Sequence, residues 1–75
     1  METEKGQRIK ELAELFLNKD IRVYIKDIDD NIYFADILFV GEDQIRFICY
    51  GPPQRIGEKV SLYWPQVVKL DEVKE

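Results

Sequence analysis

The chain has no histidine and a single cysteine, Cys49, in 75 residues. One thiol excludes an intramolecular disulfide. A lone cysteine among scattered carboxylates makes a poor zinc site, so no metal or other cofactor is expected. With no histidine to act as its base, Cys49 reads as a buried, inert thiol. Basic residues are also scarce: 11 Lys and Arg stand against 15 Asp and Glu, a net charge of −4. Indiscriminate polyanion binders carry a basic excess, so that class is disfavoured. Long apolar runs are missing too. None exceeds four residues, as in Ile37-Leu38-Phe39-Val40, far short of a membrane span. The N-terminal Met1-Glu2-Thr3-Glu4-Lys5 is polar and mixed in charge, unlike a secretory signal. With the free cysteine, this leads to the expectation of a cytoplasmic protein.

What is present points to a folded chain. Hydrophobic residues make up 45% and aromatics 12%, well above the composition of a disordered tail. The length gives one domain, residues 1–75. A domain of this size buries only about 60% of its unfolded surface, so it needs self-association or a very well-packed core.

Periodicity divides the chain into one helix and five strands. Ile9, Leu12, Ala13 and Phe16 recur at helical spacing, with Leu15 and Leu17 widening the stripe, which predicts a helix over 3–18. Thr3 suits its N-cap, and Asn18 suits a left-handed residue at its end. Beyond Asp20 the period becomes two. Strands are expected over 21–27, 32–40, 44–50, 59–64 and 67–70. Asp29-Asp30-Asn31 and Gly41-Glu42-Asp43 are turns by composition, and Gly51 to Gly57, with Pro52 and Pro53, is a loop. The second strand puts Ile32, Phe34, Leu38 and Val40 on one face and Tyr33, Ala35, Ile37 and Phe39 on the other. Apolar residues on both faces predict a bent strand shared between two layers. The fold class is mainly β: an N-terminal helix followed by a five-stranded, strongly bent antiparallel SH3-like barrel, partly closed, with the helix over its open end.

In detail the pattern resembles the Sm/LSm family. Its first motif maps without gaps onto Asp36 to Ile48. Leu38 takes the aliphatic position, Glu42 the aspartate position, Gln44 the base-stacking position and Arg46 the asparagine position. Asp36 stands where the family has a glycine. The second motif is similar to Leu62-Tyr63-Trp64-Pro65-Gln66-Val67-Val68-Lys69-Leu70, with Tyr63-Trp64 in place of Arg-Gly. The resemblance covers Ile9 to Leu70. It implies a non-catalytic, RNA-associated binding module that forms a homo-oligomer by joining the fourth strand of one subunit to the fifth of the next.

Candidate sites follow. Glu42, Gln44 and Arg46 surround one turn. Arg46 can stack on a base and Gln44 can read its edge, or Arg46 and Glu42 form an ion pair across the turn. Tyr63 and Arg55, the latter at the proline loop, complete the expected contacts to single-stranded RNA. Adjacent aromatics on a strand point to opposite faces, so one of Tyr63 and Trp64 faces out. Trp64, Val67, Val68 and Leu70 are the expected protein interface; alternatively Trp64 fills the core with Val60 and Leu62. Asp27, Asp29, Asp30, Glu42 and Asp43 read as turn chemistry. No triad, phosphate-binding glycine loop or metal set exists, so the chain is expected not to be an enzyme. The competing function is an SH3-like protein–protein adaptor that uses Tyr63, Trp64 and the proline loop.

Overall fold

The computed structural model describes residues 2–73, with side chains over 8–73. Helix α1 (Glu2–Asn18) is followed by β1 (Val23–Asp27), β2 (Ile32–Val40), β3 (Gln44–Gly51), β4 (Lys59–Tyr63) and β5 (Val67–Glu72). Two short 3-10 turns, Pro53–Arg55 and Trp64–Gln66, interrupt the strand run. Among the described residues no helix is long and apolar enough to cross a membrane.

The helical stripe packs as its spacing requires. Ala13 and Phe16 are buried, and Ile9, Leu12 and Leu17 lie against the core. Leu15 points away and is exposed. Thr3, expected at the N-cap, lies inside the helix, which starts at Glu2 and runs through Gly6 without a break. At the other end, Asp20 and not Asn18 takes the left-handed conformation, with φ 56°. Ile21 N–H donates to Phe16 C=O at 2.9 Å and Asp20 N–H to Leu17 C=O at 3.2 Å. This is a Schellman ending, in which the residue after the left-handed one folds back onto the last turn. Ile21 accordingly packs against the core.

The strands form one antiparallel sheet in the order β4-β3-β2-β1-β5. The sheet is not a closed barrel. Within the chain β4 pairs only with β3, and β5 only with β1. The three-residue turn Trp64–Gln66 joins these two edges in sequence, but no ladder forms between them. Register shifts interrupt the ladders instead, and bulges of this kind bend the strand that carries them. Phe34 pairs with Gly51 and Ala35 with Cys49, leaving Tyr50 as an extra residue on β3. Ile37 pairs with Phe47 and Phe39 with Arg46, leaving Leu38 extra on β2. A third irregularity leaves Val68 extra on β5, between partners of Lys26 and Asp27.

Each bulge resets which face a side chain occupies, because strand alternation is strictly two. After Leu38, Phe39 moves to the outer face and Val40 turns toward the core, the reverse of simple alternation. Val67 and Leu70 both point inward across three positions, with Val68 exposed between them. The core is built from Val23, Ile25, Tyr33, Ala35, Ile37, Ile45, Phe47, Cys49, Leu62 and Trp64 together with these two and the helix residues. Helix α1 covers it, resting on β2, β5 and the Trp64 turn.

Candidate nucleic-acid interface

The turn between β2 and β3 is held from below by Trp64. The indole is buried, and its Nε1–H donates to the Gly41 carbonyl at 3.0 Å. The Trp64 backbone N–H donates to Asp43 C=O at 3.1 Å, and the Gly41 N–H closes the turn on Gln44 C=O at 2.8 Å. Tyr63 N–H donates to the Gln66 side-chain Oε1 at 2.9 Å, which holds the 3-10 turn after β4. The first and second halves of the candidate site are therefore joined by a core tryptophan.

On the outer face above this turn, Gln44 lies opposite Tyr63, and Arg46 lies between Ser61 on β4 and Phe39 on β2. Gln44, Arg46 and Tyr63 thus share one surface. Tyr63 is 60% exposed, Phe39 49% and Leu38 50%. The Arg46 guanidinium carbon sits 5.8 Å from the centre of the Phe39 ring, within cation–π range. Among the described residues Arg46 forms no ion pair with Glu42. Phe39 belongs to this group, and alternation alone had placed it on the other face. The adjacent apolar pair Leu38-Phe39, in a strand with apolar residues on both sides, is the signal that could have found it.

Arg55 does not join them. It lies in the proline loop and reaches the opposite end of β2. Its guanidinium donates to Asn31 Oδ1 at 3.1 Å and to Glu58 Oε1 at 3.2 Å, and it covers the Tyr33 ring at 4.7 Å. Arg55 is therefore a tie between the β3–β4 connection and the β1–β2 turn. The base of the proline loop is tied to β3 by the Gly57 N–H bond to Cys49 C=O at 2.8 Å, while Pro53, Gln54 and Ile56 remain exposed.

Beneath Arg55 lies Asp27, the one buried charged residue among the described residues, 4% exposed. Its position follows from alternation, since Val23, Ile25 and Asp27 share the inner face of β1. Oδ1 accepts from the N–H groups of Asp29 and Asn31 at 2.9 and 3.0 Å. Oδ2 accepts from Asn31 Nδ2 at 3.1 Å and from the Tyr33 hydroxyl at 2.9 Å. Burial pushes the carboxyl up, but these donors outweigh it and hold Asp27 below its ordinary value. The Tyr33 hydroxyl is pushed up to about 12, by burial first and then by its bond to the Asp27 carboxylate. Burial, with the Glu58 charge, also raises the Cys49 thiol, which favours its inert form. This network closes a turn and leaves no side-chain polar atom buried without a partner among the described residues. Nor do those residues hold a group of three or more His, Cys, Asp or Glu suited to a metal.

Of the expected protein-interface residues, Trp64, Val67 and Leu70 are buried in the chain's own core. Their side chains are not free to meet a partner: the extra residue Val68 lets Val67 and Leu70 both turn inward, and Trp64 is seated under the β2–β3 turn. Val68 alone is exposed. What β5 and β4 do offer is backbone, since each pairs on one side only within the chain.

Comparison with known protein families and with curated proteins finds no match to this chain.

Proposed function

We propose that this chain is a non-catalytic, cytoplasmic binding module of Sm-like type that associates with single-stranded RNA. The observation behind this reading is the strand register, which brings Gln44, Arg46 and Tyr63 from two different strands onto one exposed face. Aromatic rings stack on unpaired bases in any sequence, and Arg and Gln supply hydrogen bonds and stacking at their edges. The net charge of −4 is compatible with such a site, because the contacts are local and need no basic field. The one-helix, five-strand order and the three-residue turn before β5 are consistent with the Sm-like resemblance.

Self-association belongs to the same proposal. An edge strand with unpaired backbone groups is a template for another strand, and this chain has two such edges, β4 and β5. The burial of Trp64, Val67 and Leu70 directs the contact to the backbone ladder, with Val68 and Tyr63 beside it. Light scattering is expected to give a mass several times 8.9 kDa; a clean monomer would remove assembly from the proposal. For RNA, the test is titration of labelled U-rich and A-rich single-stranded oligomers at low salt. Saturable binding that weakens in Arg46→Ala and Tyr63→Ala is expected. Absence of binding to either oligomer would sink the RNA reading in favour of an SH3-like protein adaptor.

A further inference from the structure

Phe39 occupies an unusual seat. A Cβ added at Gly41 would lie 2.8 Å from Phe39 Cε2, closer than side chains tolerate. The ring therefore rests directly on the Gly41 backbone. That backbone is fixed on both sides, by the Gly41 N–H bond to Gln44 and the Trp64 indole bond to the Gly41 carbonyl. Arg46 lies over the same ring and is itself exposed. The result is a stack of contacts running outward from the core: the Trp64 indole bonds to the Gly41 peptide, the Phe39 ring rests against that peptide, and the Arg46 guanidinium lies 5.8 Å from the ring centre, leaving Phe39 half exposed.

The charge around this stack is informative. From Leu38 to Arg46 the chain carries one cation, Arg46, and two exposed acids, Glu42 and Asp43. Two carboxylates beside one guanidinium disfavour a phosphate there. A planar, uncharged ligand meets no such penalty and can stack on the ring or on the guanidinium plane. Gln44, beside the stack, offers both a donor and an acceptor to a ring edge and so suits more than one base.

We propose that Phe39, seated on Gly41 and carrying Arg46, is the platform on which an unpaired nucleobase stacks face-on, with the phosphates left to solvent. This rests on the RNA reading above and specifies what that surface recognises. Gly41 is a positioning residue. Its φ is outside the left-handed region, so alanine fits the backbone there, and the Phe39 ring is what must move.

The test titrates a short single-stranded RNA oligomer and an abasic oligomer of the same length and charge against the wild type, Phe39→Ala, Phe39→Leu, Gly41→Ala and the Phe39→Ala/Gly41→Ala double variant. Melting curves check that each variant folds. The abasic oligomer is expected to bind the wild type at least about tenfold more weakly than the RNA. Both Phe39 variants are expected to weaken RNA binding by roughly tenfold, since leucine keeps the bulk but loses the π-face. Gly41→Ala is expected to weaken it as well, but to add nothing once Phe39 is alanine. Affinity is expected to fall only about threefold between about 50 and 200 mM salt, against roughly several hundredfold for six phosphate contacts. If the abasic oligomer binds as well as RNA, or if both Phe39 variants bind as the wild type does, the platform is overturned while the RNA reading stands. If the wild type binds no RNA at low salt, both fall together. Should Gly41→Ala not fold, the two Phe39 variants decide.

Discussion

The Trp64 indole N–H donates to the Gly41 carbonyl at 3.0 Å, across 23 positions of sequence. With the Trp64 backbone N–H bond to Asp43 C=O, it links the turn after β4 to the turn after β2. It also explains why a tryptophan, and not another large apolar residue, suits the position. Trp64→Phe keeps most of the buried ring but leaves the carbonyl without its donor. The expected loss is about 1–2 kcal/mol, seen as a fall of several degrees in melting temperature. An unchanged melting temperature would show that the bond contributes nothing.

Asp27 is expected to be the most sensitive polar position. Asp27→Asn puts an NH₂ where donors now converge, so the Asn31 amide and the Tyr33 hydroxyl, or the two backbone N–H groups, lose an acceptor. The cost is expected to be about 2–4 kcal/mol. The pH dependence has a defined sign. The folded carboxyl lies below its ordinary value, so as pH falls the unfolded chain takes up its proton first. The Asp27 contribution is therefore complete above the unfolded value of about 3.9 and is lost as pH falls through the folded one. Denaturant melts in acid should show the wild-type advantage over Asp27→Asn shrinking in that window. A constant difference would contradict it.

Tyr33 makes the opposite prediction at high pH. Its hydroxyl is pushed up to about 12 from an ordinary value of 10.0. Between these values the unfolded chain has released the proton and the folded one has not. Stability is thus fully present below pH 10 and falls as pH rises through 12, by about 3 kcal/mol from this group. Tyr33→Phe should remove that component. Comparison of the two proteins by denaturant melting at alkaline pH isolates the Tyr33 component.

Arg55 is expected to behave as a stability residue. Arg55→Ala removes the bonds to Asn31 and Glu58 and uncovers the Tyr33 ring. A loss of about 1–2 kcal/mol is expected, with RNA affinity unchanged. A selective loss of RNA binding without loss of stability would return Arg55 to the interface.

Much of the fold was legible because local patterns and tertiary demands agree. The Ile9, Leu12, Ala13, Phe16 stripe became the buried face of the helix, and the turns after Asp27 and Val40 fell where Asp, Asn and Gly are clustered. Adjacent Tyr63 and Trp64 did point to opposite sides, Tyr63 outward and Trp64 inward. The features that escaped share one cause. A bulge is set by pairing between distant strands, and the strand's own sequence does not announce where the extra residue will sit. The bulge at Leu38 brought Phe39 to the surface beside Arg46, and the bulge at Val68 buried both Val67 and Leu70. Arg55 lies apart from Gln44, Arg46 and Tyr63 for a related reason, since its partner Asn31 is 24 positions away. The burial of Asp27 was available in the sequence. It follows Val23 and Ile25 at alternate positions, and only its acidic type suggested an exposed turn residue.

The most direct measurement is an anisotropy titration of single-stranded RNA with the wild type and with the Arg46→Ala/Tyr63→Ala variant, at low salt. Wild-type saturation is expected, with an affinity loss of more than about tenfold in a variant that still melts cooperatively. No wild-type binding, or equal binding by the folded variant, would contradict the assignment of this face to RNA.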